Sequence, residues 1–328
     1  MLKDYNARLK TAVLGAHNRK LAVKRGTLAI SVVETTPVVW QGRLLRFEWV
    51  RPDNRVCPFP EHPGVETGCY RFTDMGEELK GNCGIHWPDF AFDHSFGCCY
   101  NNPDDGKMYV FGTRGGGNGR YIDAFVSSDL VHWEEHEALS FPEDMGTFNT
   151  SVCRGDGKYI MAIEIGGTHP AVGSPFTCVF AQSEDLVRWE MLDMMKYSYS
   201  RDRYTACPMI RFYDGMYYII NLESAPMHRW LPYIVRTPDF VEFEIGLVNP
   251  VMYPSEEDRQ PALPGKFTPE QLEYINSCPN NNNSDYDTCE YNGKTIILYS
   301  WGNQWGREFL AMAEYDGGEE EYLKSFFE

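Results

Sequence analysis

The stretch Ser127-Ser128-Asp129-Leu130-Val131-His132-Trp133-Glu134 recurs in this chain as Ser183-Glu184-Asp185-Leu186-Val187-Arg188-Trp189-Glu190. A weaker copy reads Thr237-Pro238-Asp239-Phe240-Val241-Glu242-Phe243-Glu244. The copies lie about 55 residues apart, which is close to the length of one four-stranded blade of a β-propeller. Each copy carries an aspartate that suits a turn, because Asp bonds its own backbone two residues on. The repeat therefore predicts a blade architecture.

A second element alternates with the first. It is a short apolar run, a tight turn that ends in glycine, and another apolar run. Asp-Gly or Asn-Gly between such runs is the strongest short-range signal for a β-hairpin, because a type I′ turn needs positive φ at both central residues. We expect five hairpins, one for each blade, and their turn glycines are Gly42, Gly106, Gly157, Gly215 and Gly293.

The alternation predicts an all-β fold, a single five-bladed β-propeller over residues 29–328, with four strands in each blade. Residues 1–28 form a separate extension in this prediction, and residues 3–24 or so, rich in Lys and Arg, are expected to be helical. The extension is also where copies of the chain could associate into a homo-oligomer. A second short helix is predicted from Thr268, a good N-cap that Pro269 follows.

Composition narrows the class of partner. The chain has 328 residues, a formal net charge of −17 and 14% aromatic residues. An acidic surface repels phosphate backbones, so nucleic acid is not an expected partner. No apolar run approaches the roughly 20 residues that span a bilayer, and the N-terminus does not resemble a signal peptide. We therefore expect a protein that binds neither nucleic acid nor membrane.

Ten cysteines are present, but none forms a CxxC pair and the histidines near them lack the spacing of a zinc site. Several lie in apolar strand-like runs, where a free thiol behaves as a small hydrophobe. We interpret them as reduced thiols, Cys98 and Cys99 among them, in a cytoplasmic protein. No cofactor is predicted, and an axial calcium ion is compatible with the sequence without being indicated by it.

In a propeller the first strand of each blade lines the axis, and the second strand ends beside the point where the first begins. Polar residues at those points should converge on one face. The candidate catalytic acids found there are Glu34, Asp93, Glu164, Glu223 and Asp285. The candidate substrate-binding residues are His94, Arg114, His169, His228, Asp287, Trp301 and Gln304. Converging carboxylates raise one another's pKa, and a carboxyl pair with aromatic walls is what glycosidic bond cleavage requires.

These motifs resemble the five-bladed β-propeller glycoside hydrolases, the broad group of family 43 arabinofuranosidases and xylosidases and their relatives in families 32 and 117. The resemblance implies a general base opening blade one, which Glu34 approaches, and a pKa-modulating Asp in blade two, to which Asp93 is nearest. It also implies a Glu acid before Pro208, but Cys207 stands there. A divergent member would then take its acid from Glu164, Glu223, Asp285 or a histidine.

Two functions of different classes follow. The favoured one is a glycoside hydrolase that cleaves a small oligosaccharide or the end of a glycan with paired carboxylates at the axis. The alternative is a non-catalytic propeller that binds a carbohydrate or a protein partner on the same face. Two acids in one closed pocket would favour the enzyme, whereas dispersed acids on a flat surface would favour the binding protein.

Overall fold

The computed structural model describes residues 20–51, 57–59, 65–117, 119–167 and 169–328. Within these ranges the fold is all-β, with nineteen strands, three short α-helices and one 3₁₀ turn. The helices are α1 (Met75–Glu78), α2 (Pro269–Asn276) and α3 (Glu319–Lys324). The described part of the chain holds no helix with the length and apolar character to cross a bilayer. The helix predicted after Thr268 is confirmed, with Thr268 as its N-cap.

The first ten strands are β1 (Val23–Ile30), β2 (Thr35–Trp40), β3 (Arg43–Val50), β4 (Cys69–Thr73), β5 (His94–Asn101), β6 (Met108–Arg114), β7 (Tyr121–Ser127), β8 (Glu134–Ser140), β9 (Met145–Arg154) and β10 (Tyr159–Gly167). The others are β11 (Thr177–Ser183), β12 (Trp189–Met191), β13 (Thr205–Tyr213), β14 (Met216–Ala225), β15 (Arg229–Thr237), β16 (Glu244–Ile245), β17 (Asn282–Tyr291), β18 (Lys294–Gly302) and β19 (Glu308–Tyr315).

Pairing is antiparallel between strands that follow one another in sequence. The sheets run β2-β3-β4, then β5-β6-β7-β8, then β9-β10-β11-β12. The remaining strands form two further sets, β13-β14-β15-β16 and β17-β18-β19-β1. A single parallel pairing of Trp230 with Asn282 joins those two sets into one eight-stranded sheet. The chain therefore builds several sheets of short meandering strands.

The five predicted hairpins are confirmed. Each of the five turn glycines has a positive φ, between 67° and 77°, and each turn joins the first two strands of a set. In three turns the preceding residue also has positive φ, namely Gln41, Asp214 and Asn292 at 49°, 50° and 53°. That pair of conformations is the type I′ geometry which matches the twist of the strands.

The repeated Asp-Leu-Val-x-Trp stretch also folds as predicted. One side-chain oxygen of Asp129 accepts the backbone N–H groups of Val131 and His132 at 2.9 and 2.8 Å. Asp185 and Asp239 make the same pair of bonds in their own turns. Trp133 stacks on Phe90 with ring centroids 3.9 Å apart. The repeat is therefore structural, a turn followed by an aromatic that packs in the outer part of the sheet.

The N-terminal boundary differs from the prediction. Residues 1–19 of the expected helical extension lie outside the described part, but residues 23–30 form a strand, β1, that pairs with β19. Gly26 has φ of +97°, and a Cβ there would meet the carbonyl oxygen of Gln260 at 2.0 Å. Residues 23–30 form a strand because the outer edge of β19 has backbone N–H and C=O groups that need hydrogen-bond partners, and β1 supplies them. The N-terminal strand thus adds to the C-terminal set, and it runs across residue 28, where the prediction placed the end of the extension.

The first strands of the sets surround an axis. β2 contacts β5, β5 contacts β9, β9 contacts β13, β13 contacts β17, and β17 contacts β2 again. Three of these strands carry a bulge with one residue in the left-handed region: Phe96, Cys207 and Asp285, with φ of 54°, 46° and 50°. A bulge re-aims a side chain relative to the regular pleat. The bulges therefore change the direction of these three side chains at the end of the axis where the candidate site lies.

Candidate active site

An open cavity of about 290 Å³ lies at the end of the axis where the first strands begin. All five axial strands or the residues beside them contribute to it. Its lining residues are Glu34, Thr35, Thr36, Gly97, Asn149, Thr150, Cys207, Pro208, Asp285, Tyr286 and Asp287. Two of the predicted catalytic acids, Glu34 and Asp285, therefore face one cavity.

Glu34 precedes β2 and is held with φ of 55°. Its side chain is half-buried, and its Oε2 is shielded from solvent with no hydrogen-bond partner. Burial and the charge of Asp285 raise the pKa of Glu34 well above its ordinary value, and the opposing charge of Arg51 does not offset them. These surroundings favour the protonated carboxyl group, because a low-dielectric environment penalises the charged form.

Asp285 reaches the cavity from the bulge in β17. The Ser284 hydroxyl donates to its Oδ2 at 3.1 Å, and the charge of this carboxyl group acts to raise the pKa of the neighbouring Cys207 thiol. The carboxyl group of Asp285 therefore accepts a hydrogen bond, whereas the buried oxygen of Glu34 has no hydrogen-bond partner. The two acids that share the cavity have different surroundings, which is the arrangement that separates an acid from a base.

Glu164, on β10, lies behind the cavity wall and is 3% exposed. Its Oε2 accepts the backbone N–H of Cys207 at 2.8 Å and the side-chain amide of Asn149 at 3.0 Å. Burial raises the pKa of Glu164 to about 7, although both of these donors act in the opposite direction. Its charge also acts to raise the pKa of Glu34. Glu164 thus acts on the site through its neighbours.

One basic side chain faces this acidic group. Arg51 donates through Nη1 to Glu308 Oε2 at 3.3 Å, and its guanidinium lies 5.6 Å from the ring centre of Trp49. Burial raises the pKa of Glu308, and Arg51 partly offsets it. Arg51, which follows β3 and pairs with Glu308 of β19, is the cation whose charge limits the pKa shift of Glu34.

Half-buried aromatic rings form a continuous line that we call the aromatic arc. Its members are Trp49, Phe96, Phe148, Phe176 and Tyr204. Successive ring centroids lie 4.9, 5.2, 5.1 and 5.6 Å apart. Phe96 and Phe148 directly precede the cavity-lining residues Gly97 and Asn149. A line of half-exposed ring edges beside carboxylates suits the apolar face of a sugar or its aglycone.

Asp93, His94 and Arg114 lie in a different place. They line a wider open pocket of about 850 Å³ with Phe125, Trp133 and other residues. Asp93 is exposed, and its backbone, not its side chain, is engaged, accepting from Gly115 N at 2.8 Å. The structure therefore does not bring these three residues into the axial cavity, because the turn before β5 points them outward.

His94 and Arg114 instead form hydrogen bonds with the buried carboxylate of Asp123. His94 Nε2 lies 2.8 Å from Asp123 Oδ2, and Arg114 Nε donates to the same oxygen at 2.6 Å. Burial alone would raise the pKa of Asp123, but these two hydrogen bonds outweigh it and lower the pKa. His94, Asp123 and Glu135 present ligand atoms within 4.8 Å of one another. Arg114 already supplies positive charge there, so this cluster is an ion-pair network.

Glu223, His169 and His228 are also absent from the lining of the axial cavity. Glu223 is buried on β14 with Arg203 Nε at 3.5 Å, and burial raises its pKa. His169 accepts the backbone N–H of Ala171 at 3.1 Å and so stabilises a turn. His228 is exposed in the hairpin between β14 and β15. The expectation that every strand-end acid would converge was therefore too broad.

Trp301, predicted to bind the substrate, is fully buried. Its Nε1 donates to Thr27 Oγ1 at 2.9 Å, and its ring stacks on Phe309 with centroids 4.5 Å apart. It faces the core because β18 has apolar neighbours on both sides. Gln304 accepts from the amide of Asn282 in the following turn. These two residues support the fold and do not line the axial cavity.

Asp287 does face the axis, two residues after Asp285 on β17. Its Oδ1 pairs with Arg211 Nη2 at 2.5 Å, and Arg211 Nε also lies 3.1 Å from Glu319 Oε1. Asp287 lines the candidate cavity, whereas Arg211 lines a second cavity farther along the axis. The ion pair therefore lies between the two cavities, and the carboxylate of Asp287 is neutralised by Arg211.

Sequence reasoning missed Cys207, the aromatic arc and the Arg51–Glu308 pair as parts of the site. For Cys207 a signal was present, since it stands before Pro208, where the resemblance implies an acid. The other two had no local signal. The members of the arc come from separate strand sets, and only the closed arrangement of the sheets places their rings side by side.

Among solved structures, a protein described as a glycoside hydrolase matches 93% of this chain and 94% of its own, with TM-score 0.59 and 12% identity. An α-L-arabinofuranosidase from Podospora anserina, solved in complex with cellotriose, matches 91% and 98%, with TM-score 0.59 and 8% identity. An N-acetylgalactosamine deacetylase from F. plautii, solved with blood group B trisaccharide, matches 90% and 92%, with TM-score 0.53 and 13% identity.

No family model matches this chain, and no curated protein does. At identities this low the structural likenesses show the fold alone. The chain has the fold of the β-propeller glycoside hydrolases, as the repeat predicted. One of the three similar structures is a deacetylase, so the fold by itself does not decide the reaction.

Proposed function

We propose that the protein is a five-bladed β-propeller glycoside hydrolase whose acid–base pair is Glu34 and Asp285. The observation that carries this proposal is that both carboxyl groups line one axial cavity while their surroundings differ. Five sets of strands whose first members contact one another in a closed cycle support the blade number. The fold shared with glycoside hydrolases supports the reaction class.

In this proposal Glu34 is the general acid, not the base that the family resemblance implied. Its raised pKa favours the protonated form, which can transfer a proton to the glycosidic oxygen as the C–O bond breaks. Asp285 either takes a proton from the attacking water or attacks the sugar carbon itself. The first course inverts the anomeric centre, and the second retains it.

Glu164 is assigned a supporting role. It does not line the cavity, yet it binds the backbone of Cys207 and the amide of Asn149, which do. Its charge disfavours ionisation of Glu34, which is the effect that a pKa-modulating acid requires. It thus takes the part for which the sequence suggested Asp93.

We take the end of a glycan as the substrate, because both carboxyl groups line a small cavity at one end of the axis. The aromatic arc would then contact the next sugar or another leaving group. A small oligosaccharide, cleaved from one end, fits this combination.

A cytoplasmic location belongs to the proposal as well. All ten cysteines are free thiols, seven of them buried, as suits a reducing compartment. The net charge of −17 disfavours nucleic acid as a partner. Association of copies through the N-terminal extension stays a prediction, since residues 1–19 lie outside the described part.

The test is a screen of chromogenic glycosides and short oligosaccharides with the wild-type protein and the Glu34→Gln and Asp285→Asn variants. We expect one or more substrates to be cleaved, and each variant to lower kcat by on the order of 10²-fold or more. Glu190→Gln is the control, because Glu190 is exposed and bonds only to Gln182 among the described contacts. Acetylated sugars are included because a similar fold carries a deacetylase.

Two outcomes would contradict the proposal. Full activity of both variants would remove the axial pair as the catalytic machinery. Binding of sugars by calorimetry with no turnover of any substrate in the screen would instead identify the non-catalytic carbohydrate-binding propeller.

A further inference from the structure

Two tryptophans lie side by side where the fourth and fifth sets of strands meet. Trp305, in the turn between β18 and β19, is 74% exposed, whereas Trp230, the second residue of β15, is half-buried. Their ring centroids lie 6.0 Å apart at an interplanar angle of 88°. We call this pair the tryptophan corner. Two adjoining indoles, one of them open to solvent, offer a ligand both apolar area and polar N–H groups.

The backbone ties the tryptophan corner to the strand that carries Asp285. The N–H of Trp230 donates to the carbonyl oxygen of Asn281 at 3.0 Å, and the N–H of Asn281 donates to that of Gly302 at 2.8 Å. Gly302 ends β18, just before the turn that holds Trp305, and Asn281 directly precedes β17. Both tryptophan-bearing segments are therefore fixed to the start of β17.

The turn around Trp305 has a defined backbone. The side-chain oxygen of Asn303 accepts the N–H groups of Trp305 and Arg307 at 2.8 and 3.1 Å. Gln304 and Gly306, on either side of Trp305, both have positive φ, 67° and 91°. Because the turn is already ordered, a ligand that covers the indole does not have to order its backbone first.

The tryptophan corner lies at the same end of the axis as the candidate site. Trp230 and Asn282 pair in parallel, so β15 and β17 both begin at this end. Asn282 stands three residues before Asp285, so about 10 Å of extended chain separates it from that acid. A single sugar in the axial cavity does not reach the corner, whereas a chain of sugars does.

We propose that the tryptophan corner is a carbohydrate-binding subsite for an oligosaccharide whose end occupies the axial cavity. It would hold a sugar remote from the bond that breaks, so this inference rests on the proposed function. The flat faces of the indoles suit the apolar face of a sugar ring. His228, exposed two residues before Trp230, and Gln304, directly before Trp305, carry hydrogen-bonding groups for the sugar hydroxyls.

The charge of the protein narrows the class of sugar. A formal net charge of −17 disfavours acidic ligands by long-range repulsion. The tryptophan corner is therefore assigned to a neutral oligosaccharide.

The first experiment detects a sugar at the corner without turnover. Wild type and Glu34→Gln are prepared with 5-fluorotryptophan, and their fluorine NMR signals are assigned with Trp305→Phe, Trp230→Phe and Trp189→Phe. Neutral gluco-, xylo- and arabino-sugars, from monosaccharides to tetrasaccharides, are added together with any substrate from the screen. We expect the longer chains of one series to shift the Trp305 and Trp230 signals. Trp189, on β12 of the third set, is the reference and should not shift.

Two results would overturn the inference, whatever the screen finds. One is no shift of the Trp305 signal with any of these sugars. The other is an equal shift with monosaccharides and with longer chains, because the corner would then bind sugars independently of the axial cavity. A shift that requires the longer chains, without turnover of any substrate, would support the subsite and contradict the proposed enzyme.

The second experiment uses the substrate found in the screen. Trp305→Ala should raise KM for an oligosaccharide about tenfold, while KM for a monosaccharide glycoside changes less than about twofold, because only the longer chain reaches the corner. Trp305→Phe keeps a ring and should recover much of the loss. Phe92→Ala, at an aromatic of the second set that is 62% exposed, is the matched control and should leave both KM values unchanged. Wild-type KM for the oligosaccharide in Trp305→Ala would overturn the inference and leave the proposed function standing.

Discussion

The side-chain amide of Asn149 donates to Oε2 of Glu164 at 3.0 Å. Burial raises the pKa of this carboxyl group and the amide lowers it, and the balance leaves a pKa of about 7. A side chain that is 3% exposed therefore changes its charge near neutral pH. The free energy of unfolding should therefore depend on the protonation of Glu164, whether or not a substrate is bound.

Glu164→Gln should remove a pH-dependent loss of stability. The pKa in the folded state, about 7, exceeds the ordinary value of 4.5. The stabilisation from the neutral form is therefore present at low pH and is lost as the pH rises through 7. Relative to the variant, we expect the wild-type free energy of unfolding to fall by about 2 kcal/mol between pH 5.5 and pH 8.

Urea unfolding of both proteins at the two pH values measures this difference. Glu190→Gln serves as control, since Glu190 is exposed. A difference between wild type and Glu164→Gln that stays constant with pH would show that Glu164 is ionised in the folded state throughout.

Much of the fold could be predicted because it rests on local chemistry. An Asp-Gly turn such as Asp214-Gly215 needs only its own backbone, and Asp129 bonds residues two and three positions on. The site was harder because it depends on which way each strand-end side chain points. Glu34 and Asp285 reach the cavity through left-handed conformations, and nothing in the local sequence distinguishes them from Glu223.

Trp301→Phe should weaken the fold and leave sugar binding unchanged. The variant loses the hydrogen bond from Nε1 to Thr27, and it removes volume from a fully buried position. We expect a loss of about 1–3 kcal/mol in the free energy of unfolding. Urea unfolding measures this loss.

Trp305→Phe is the matched control, because Trp305 is 74% exposed. It should change the free energy of unfolding by less than about 0.5 kcal/mol. Weaker sugar binding by Trp301→Phe at unchanged stability would instead support the prediction that Trp301 binds the substrate.

Phe148→Leu should weaken substrate binding through the aromatic arc. Phe148 is its central ring, between Phe96 and Phe176, and a Cβ on the adjacent Gly166 would meet that ring at 2.7 Å. Leu keeps an apolar side chain but removes the flat face, so we expect KM for an oligosaccharide to rise about tenfold, or about 1.4 kcal/mol, with kcat little changed.

Steady-state kinetics on a monosaccharide glycoside and on an oligosaccharide separates the effects. Tyr253→Leu, at an exposed aromatic outside the arc, is the control. An equal rise in KM for both substrates would place the arc around the first sugar and not beyond it.

Arg211→Met should be the most destabilising of these changes. Arg211 pairs with the buried acids Asp287 and Glu319 and donates to the carbonyl oxygens of Ile210 and Thr288 at 2.9 and 2.6 Å. Removing one partner of a buried ion pair leaves uncompensated charge and costs about 3–5 kcal/mol.

The loss should also depend on pH. Burial already raises the pKa of Asp287 even with Arg211 present, and without that cation the pKa rises further. A raised folded-state pKa stabilises at low pH and ceases to do so as the pH rises through it. We therefore expect urea unfolding to show a smaller deficit for Arg211→Met at pH 5.5 than at pH 8. The double variant Arg211→Met with Asp287→Asn should recover part of the loss at pH 8, because it removes one of the stranded charges. A deficit equal at both pH values, and not reduced in the double variant, would mean that Arg211 stabilises the axis through packing and carbonyl contacts alone.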